Sequence, residues 1–358
     1  MRWIRPLAAR GEEPVEPVAL LGAKAHGLVT LRRLGLPVPA GFVVTTEACR
    51  AFRRAGRLPA GLDGELVAAM GELEAATGRG FGAAREPLAV SVRSGASVSM
   101  PGMMNTILNL GLTSEATAGL AAETGDARFA RDARRTFLST FAAALTETDG
   151  AGRTIPEDDA VGQLRLAVAA VLASWDAPRA RTYRALHDIP HDLGTAVIVQ
   201  AMVFGNRDDR SGTGVAFSRD PNTGEPVPYG DVLFGRQGDD VVSGRSATRP
   251  LRELAGREPA VWAGLLDALR RVEGHHRDAC YVEFTFQTGE LWLLQARPGR
   301  FVGAAAVRLA TDLADEGLIT RHQALLRVSP RHLAHVRTPR IAAAARADAL
   351  GRGVGACP

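Results

Sequence analysis

Lysine is almost absent from this chain: of 43 lysine and arginine residues in 358, Lys24 in "LLGAKAHGL" is the single lysine. A composition rich in alanine, glycine and arginine explains the shortage as a coding bias. The one retained ammonium then points to a site, with chance as the plain alternative. Cysteine is scarce as well. Cys49, Cys280 and Cys357 are odd in number, dispersed and free of CxxC spacing, which argues against a disulfide framework and a zinc site and for small core or tail residues. Long apolar runs are missing too: no stretch reaches the ~18 residues of a membrane helix. The first seventeen residues lack the apolar core of a signal peptide. The expectation is a cytoplasmic protein without a membrane partner. There is no basic tract either, since a formal charge of +4 is spread over scattered arginines. Nucleic acid is therefore not an expected partner, whereas small polyanions are compatible.

What is present is 46% hydrophobic residues over a length sufficient for two or three packed units. Residues 1–113 read as an N-terminal α/β subdomain: a helix beginning near Lys24, the turn "GLPVPAGF", a strand "FVVTT", and a strand "LAVSVR" entering the loop "SGASVSMPGMMNT". Residues 114–195 read as a helical insert. Phe129, Ala133, Phe137 and Phe141 fall four apart, as do Leu164, Val168 and Leu172, with Trp175 one step off. Residues 196–300 hold an apolar strand from Val197 to Phe204, a turn "GNRDDRSGTG", a strand "VAFSR", and a last hairpin, "YVEFTF" and "LWLLQAR", joined by "QTGE". Residues 301–358 are helices and an Ala/Arg tail.

Three stretches can carry chemistry. In the loop after "LAVSVR", small residues let backbone N–H groups turn inward around phosphate oxygens, and Arg93 at its entry can add a bidentate guanidinium. On its own such a loop is commonly just a loop, and no GxxxxGK[ST] motif occurs in the chain. In the hairpin, a two-residue period puts Tyr281, Glu283 and Thr285 on one face and Leu293, Gln295 and Arg297 on one face. A three-residue loop centred on Gly289 sets Glu283 opposite Gln295 and Tyr281 opposite Arg297. A hard cation such as Mg²⁺ takes oxygen ligands, so Glu283 suits it and Arg297 suits a phosphate; the plain alternative is a solvated strand face. In "AVIVQAMVFGN", Gln200 interrupts an apolar strand and Met202 follows on the same face. Together they can receive an adenine ring, unless Met202 is ordinary core.

Together the segments "LLGAKAHGLVTLRRLGLPVPAGFVVTTEAC", "VSVRSGASVSMPGMMNTILNLGL", "HDLGTAVIVQAMVFGN", "SGTGVAFSRDPNTGE" and "VEFTFQTGELWLLQAR" resemble the N-terminal nucleotide-binding domain of the pyruvate, phosphate dikinase family, which is grouped with phosphoenolpyruvate synthase and rifampicin phosphotransferase. The likeness covers nearly the whole chain, and "SMPGMMNTILNLGL" belongs to the dikinase branch. It implies an α+β, ATP-grasp-like fold in which two subdomains clasp ATP, whose β-phosphoryl group passes to a histidine on a separate swivelling domain. By motif position it implies that Lys24, Arg93 and Arg297 act on the phosphates as catalytic groups. Ser94 and Met103 of the Ser/Gly segment join the nucleotide site, Gln200 and Met202 line the adenine pocket, Glu283 and Gln295 take Mg²⁺, and Gln295 with Arg297 completes the site.

The chain departs from the family pattern in several places. Tyr281 stands where Asp-x-Glu is usual, and a phenol does not replace a carboxylate beside Mg²⁺. "GAKA" replaces "GGKG", "YGD" ends in Asp231, and Ser246 replaces an arginine, with Arg249 nearby. His335 in "HLAHVRT" lacks the Gly-rich setting of a phosphoryl acceptor. The expectation is an ATP half-reaction completed by a separate phosphohistidine protein. The alternative is a nucleotide-binding regulatory module without transfer, which Tyr281 favours.

Overall fold

The computed structural model describes residues 2–7, 15–149, 154–238 and 247–336. Cys357, Ser246 and the tail from Thr338 lie outside the described residues. The architecture is mixed helix and antiparallel sheet, an α+β protein. In chain order the strands are β1 (Ile4–Pro6), β2 (Gly41–Val44), β3 (Gly80–Phe81), β4 (Pro87–Leu88), β5 (Val90–Ala96), β6 (Thr106–Leu110), β7 (Thr195–Ala201), β8 (Gly212–Phe217), β9 (Tyr229–Phe234), β10 (Arg249–Pro250), β11 (Cys280–Gln287) and β12 (Glu290–Pro298). The helices used below are α1 (Val18–Arg33), α2 (Thr46–Ala55), α3 (Leu62–Thr77), α4 (Ser114–Thr124), α5 (Ala127–Asp149), α6 (Ala160–Ala173), α7 (Pro178–Leu186), α8 (Pro259–His276) and α9 (Gly303–Asp315).

The chain divides into two compact units. The first comprises residues 1–219 and 227–299 and contains both large sheets, ordered β1-β2-β7-β5-β6 and β10-β9-β8-β11-β12. The second joins 220–226 to 300–358; within its described part, α9 buries Leu309 and Leu313, and Arg308 reaches Glu225 at 3.3 Å.

In the first sheet β7 is central, and its run "TAVIVQA" is apolar without alternation because both faces are covered. Val197 and Val199 join a core with Phe42, Val90, Val92 and residues of α3, α5 and α6, while Ala196 and Ile198 join a second core with Leu28 and Leu31 of α1. The fourfold spacing in α5 is a true helix face, with Phe137 and Phe141 fully buried. Trp175 is buried in the 3₁₀ turn that follows α6. The strand expected to run to Phe204 leaves the sheet after Ala201, where the Met202 N–H turns to the Ala89 carbonyl at 2.9 Å.

Two glycine-rich stretches expected as turn or loop are strand instead. In "SGTG", Gly212 and Gly214 pair with Phe286 and Phe284 of β11, and a Cβ built on them would stand 2.3 and 2.6 Å from those rings. Glycine here makes room for aromatic rings lying across the strand. In "RSGA", Ser94, Gly95 and Ala96 continue β5 and pair with Val197, Ala196 and Thr195. The loop proper begins at Ser97, so those three small residues are part of a ladder and not of a free nest of amides.

The final hairpin places Tyr281 opposite Arg297 and Glu283 opposite Gln295, as the spacing predicts, but by another route. The turn has two residues, Thr288 and Gly289, both at positive φ, the geometry of a type I′ hairpin. The residue saved in the turn returns as a bulge at Leu294, between Phe284 paired to Leu293 and Glu283 paired to Gln295. The bulge breaks the period. Leu293 pairs with Phe284 and is fully buried, so it does not share the face of Gln295 and Arg297.

Candidate functional site

Between the two sheets of the first unit lies a cavity of about 610 Å³. It receives Lys24 from the start of α1, Arg93 and Ser94 from β5, and Gln200 with Met202 from the end of β7. Glu283 of β11, with Gln295 and Arg297 of β12, forms the opposite wall. Met103 is not among the lining residues. The chain turns at Gly102, whose φ is 70°; Met100, Met103 and Met104 all pack in the first core, and Met100 and Met104 also line the cavity.

The local folding of Lys24 depends on Gly22. At φ 74° and ψ 157° Gly22 breaks α1 in a region that is essentially glycine's alone, and a Cβ there would meet the Gly95 carbonyl oxygen at 1.7 Å. The helix restarts at Ala23, so Lys24 stands in a first turn, where unpaired N–H groups and the macrodipole favour an anion. An ammonium there is poorly placed without one. Its pKa falls to about 8, chiefly because it is buried, then through the Arg93 guanidinium, with Glu283 acting in the opposite direction and Arg297 again lowering it.

Arg93 is anchored from its own sheet. Its terminal N–H donates to Gln200 Oε1, and Gln200 Nε2 donates to the Pro39 carbonyl at 3.0 Å. Gln200 is 1% exposed. Both halves of that amide are engaged, so Gln200 lines the cavity and also holds Arg93. Beside it, that wall carries Met202 and residues 201 and 203. Arg93 Nε is buried with no hydrogen-bond partner, and burial pulls the guanidinium's pKa down while Glu283 opposes the fall.

Arg297 is held differently. Its guanidinium carbon lies 4.2 Å from the Tyr281 ring centroid, and that ring is braced edge-on by Phe217 at 5.0 Å. Tyr281 is a buried phenol whose pKa rises to about 12, first from burial and then from Glu283, with Arg297 opposing. The floor below carries Thr285, whose hydroxyl donates to Thr213 Oγ1 at 3.1 Å. Gln237, which no motif singles out, accepts from the Gly205 N–H at 2.8 Å and donates to the Val203 carbonyl at 3.2 Å. It thereby pins the segment that joins the two sheets.

The fit of a divalent cation is decided by the donor set. Glu283 is the sole carboxylate among the lining residues, against Lys24, Arg93 and Arg297. Asp231 lies two strands along the same register, Glu283 to Val215 to Asp231, which is roughly 10 Å away. It accepts from Thr248 Oγ1 at 3.0 Å. Among the described residues no group of three His, Cys, Asp or Glu side chains could hold a metal. These residues do not form a site for a bare Mg²⁺ ion.

A family described as pyruvate phosphate dikinase, AMP/ATP-binding domain, matches residues 55–251, just over half of the chain. The chain belongs to this family. Among curated relatives, pyruvate, phosphate dikinase 2 of Zea mays is 41% identical over 89% of this chain and 41% of its own length. Pyruvate, phosphate dikinase of Giardia intestinalis is 39% identical over 95% and 43%, and that of Rhizobium meliloti (strain 1021) 37% identical over 100% and 46%. The chain thus spans less than half the length of these dikinases. Among the described residues no helix is long and apolar enough to cross a membrane.

Proposed function

We propose that the cavity binds ATP and serves the nucleotide half of a dikinase-type phosphoryl transfer to a histidine on a separate domain or protein. The observation that carries this reading is the convergence of Lys24, Arg93 and Arg297 on one cavity with Glu283. A buried guanidinium with an unused donor is costly unless an anion takes it up, and Arg93 Nε is such a donor. The base would lie against Met202 and the segment pinned by Gln237, with the phosphates toward Lys24. The two sheets would act as the clasping halves of an ATP-grasp-like fold.

In this reading catalysis is positioning and charge neutralisation, because a phosphoryl group in flight needs little covalent help. Lys24, a compact rotatable ammonium, follows the migrating group, while Arg93, fixed by Gln200, holds one geometry. Glu283 and Gln295 would be the residues to meet a Mg²⁺ carried by the nucleotide, which would supply charge neutralisation.

The test incubates the purified chain with Mg²⁺, β-labelled ATP and isolated phosphohistidine domains. Label on the acceptor histidine is expected, and its absence with every domain tried rejects the transfer. Nucleotide binding without transfer would select the second reading, a regulatory nucleotide module, which the missing second carboxylate at Tyr281 favours.

A further inference from the structure

We infer that this cavity takes nucleoside polyphosphates without a divalent cation, and that Tyr281 is the positioning residue that makes this possible. The inference rests on the nucleotide reading above and narrows it to the charge state of the ligand.

A polyphosphate in an enclosed site needs its charge balanced, either by a metal ion that the protein ligates or by cationic side chains. The lining here supplies the second kind. Lys24, Arg93 and Arg297 outnumber the lone carboxylate, Glu283. The next carboxylate on that face of the sheet, Asp231, is two strands away and bonded to Thr248.

Arg297 decides the balance. Among the described residues it forms no ion pair; its guanidinium rests on the face of Tyr281 at 4.2 Å. The ring fixes the plane of the guanidinium and the Tyr281 hydroxyl engages it by a hydrogen bond; with no carboxylate paired to it among the described residues, the rest of the fork stays available for a phosphate. A carboxylate at position 281, one inter-strand step away and directly opposed to Arg297, would pair with that fork and cancel one of the three cations. Phe217 braces the ring at 5.0 Å, so the platform is built and not incidental. Substituting Asp would thus trade metal-free affinity for a second oxygen donor two residues from Glu283 on the same face.

Calorimetry on the full chain tests this with ATP, ADP and AMP, each in EDTA and in excess Mg²⁺. ATP affinity in EDTA is expected within about threefold of that in Mg²⁺, with ATP tighter than ADP and ADP tighter than AMP. In Tyr281→Asp the EDTA affinity falls about tenfold and Mg²⁺ restores it. Tyr281→Leu weakens both conditions alike, and Tyr281→Phe, which keeps the ring, recovers what Leu loses. ATP uptake by the native chain in Mg²⁺ alone overturns the inference, as does a Tyr281→Asp variant whose EDTA affinity is unchanged. No uptake in either buffer overturns the nucleotide reading itself.

Discussion

The two walls of the cavity hold their arginines by opposite means. On the first sheet, Arg93 is tied by a hydrogen bond to Gln200, whose amide is tied in turn to the Pro39 carbonyl. On the second, Arg297 lies on the ring of Tyr281, whose hydroxyl it also meets. The first arrangement fixes direction through a buried amide; the second fixes a plane through a ring and its hydroxyl and pairs the fork with no carboxylate among the described residues. The difference teaches that a cation's usefulness to a ligand depends on what positions it as much as on its charge. A hydrogen-bonded anchor makes a rigid reference point, and a stacked one leaves a fork that can still choose its partner.

The comparison can be broken most severely on the first wall. Gly22→Ala adds a Cβ where the Gly95 carbonyl already lies, at a backbone conformation closed to alanine. The expected loss is on the order of 3 kcal/mol or more in urea unfolding, together with the ordered position of Lys24. Retention of wild-type stability would show that α1 does not lie against β5 as described. Gln200→Leu is milder and sharpens the contrast. It frees Arg93 and leaves the Pro39 carbonyl unpaired, for about 1–3 kcal/mol of stability and about tenfold in ATP affinity. If the affinity of this variant is unchanged, the amide does not position Arg93.

Much of this was legible in the chain, for identifiable reasons. The α5 face and the opposed Glu283 and Gln295 follow from local periods of four and two, which need no knowledge of distant residues. The lone lysine and most of the residues singled out with it line one cavity. What was hidden depends on partners far away in sequence. Glycines in "SGTG" look like a turn until Phe284 and Phe286 are laid across them. Nothing local shows that Gln200 also bonds Arg93 and Pro39, 107 and 161 residues away. Met103 and Met104 both pack against the first core, and of the two Met104 also reaches the cavity, which their sequence context does not reveal. The bulge at Leu294 compensates for the short turn, so the correct register at Glu283 came from an incorrect loop length. The second unit gathers 220–226 with residues beyond 300, a non-local union that no compositional boundary marks.

A graded effect concerns the residue that the two walls share electrostatically. Lys24 titrates at about 8 in the folded chain against 10.5 for the free side chain, because burial and then Arg93 disfavour its charge. Between those two values the unfolded chain binds a proton that the folded chain does not, so this residue makes the ligand-free protein more stable as pH rises from 8 toward 10.5. A polyphosphate reverses the preference, since its charge holds the proton on Lys24. Affinity therefore falls over the same window, by at most about tenfold per pH unit, with proton uptake on binding near pH 8. One side chain thus drives stability up and affinity down together, a pairing that a general loosening of the fold would not produce. Urea unfolding and ATP calorimetry across the window, in the native chain and in Lys24→Met, measure both trends. The Met variant should flatten the two slopes, and a variant that keeps either one would assign that slope to another group.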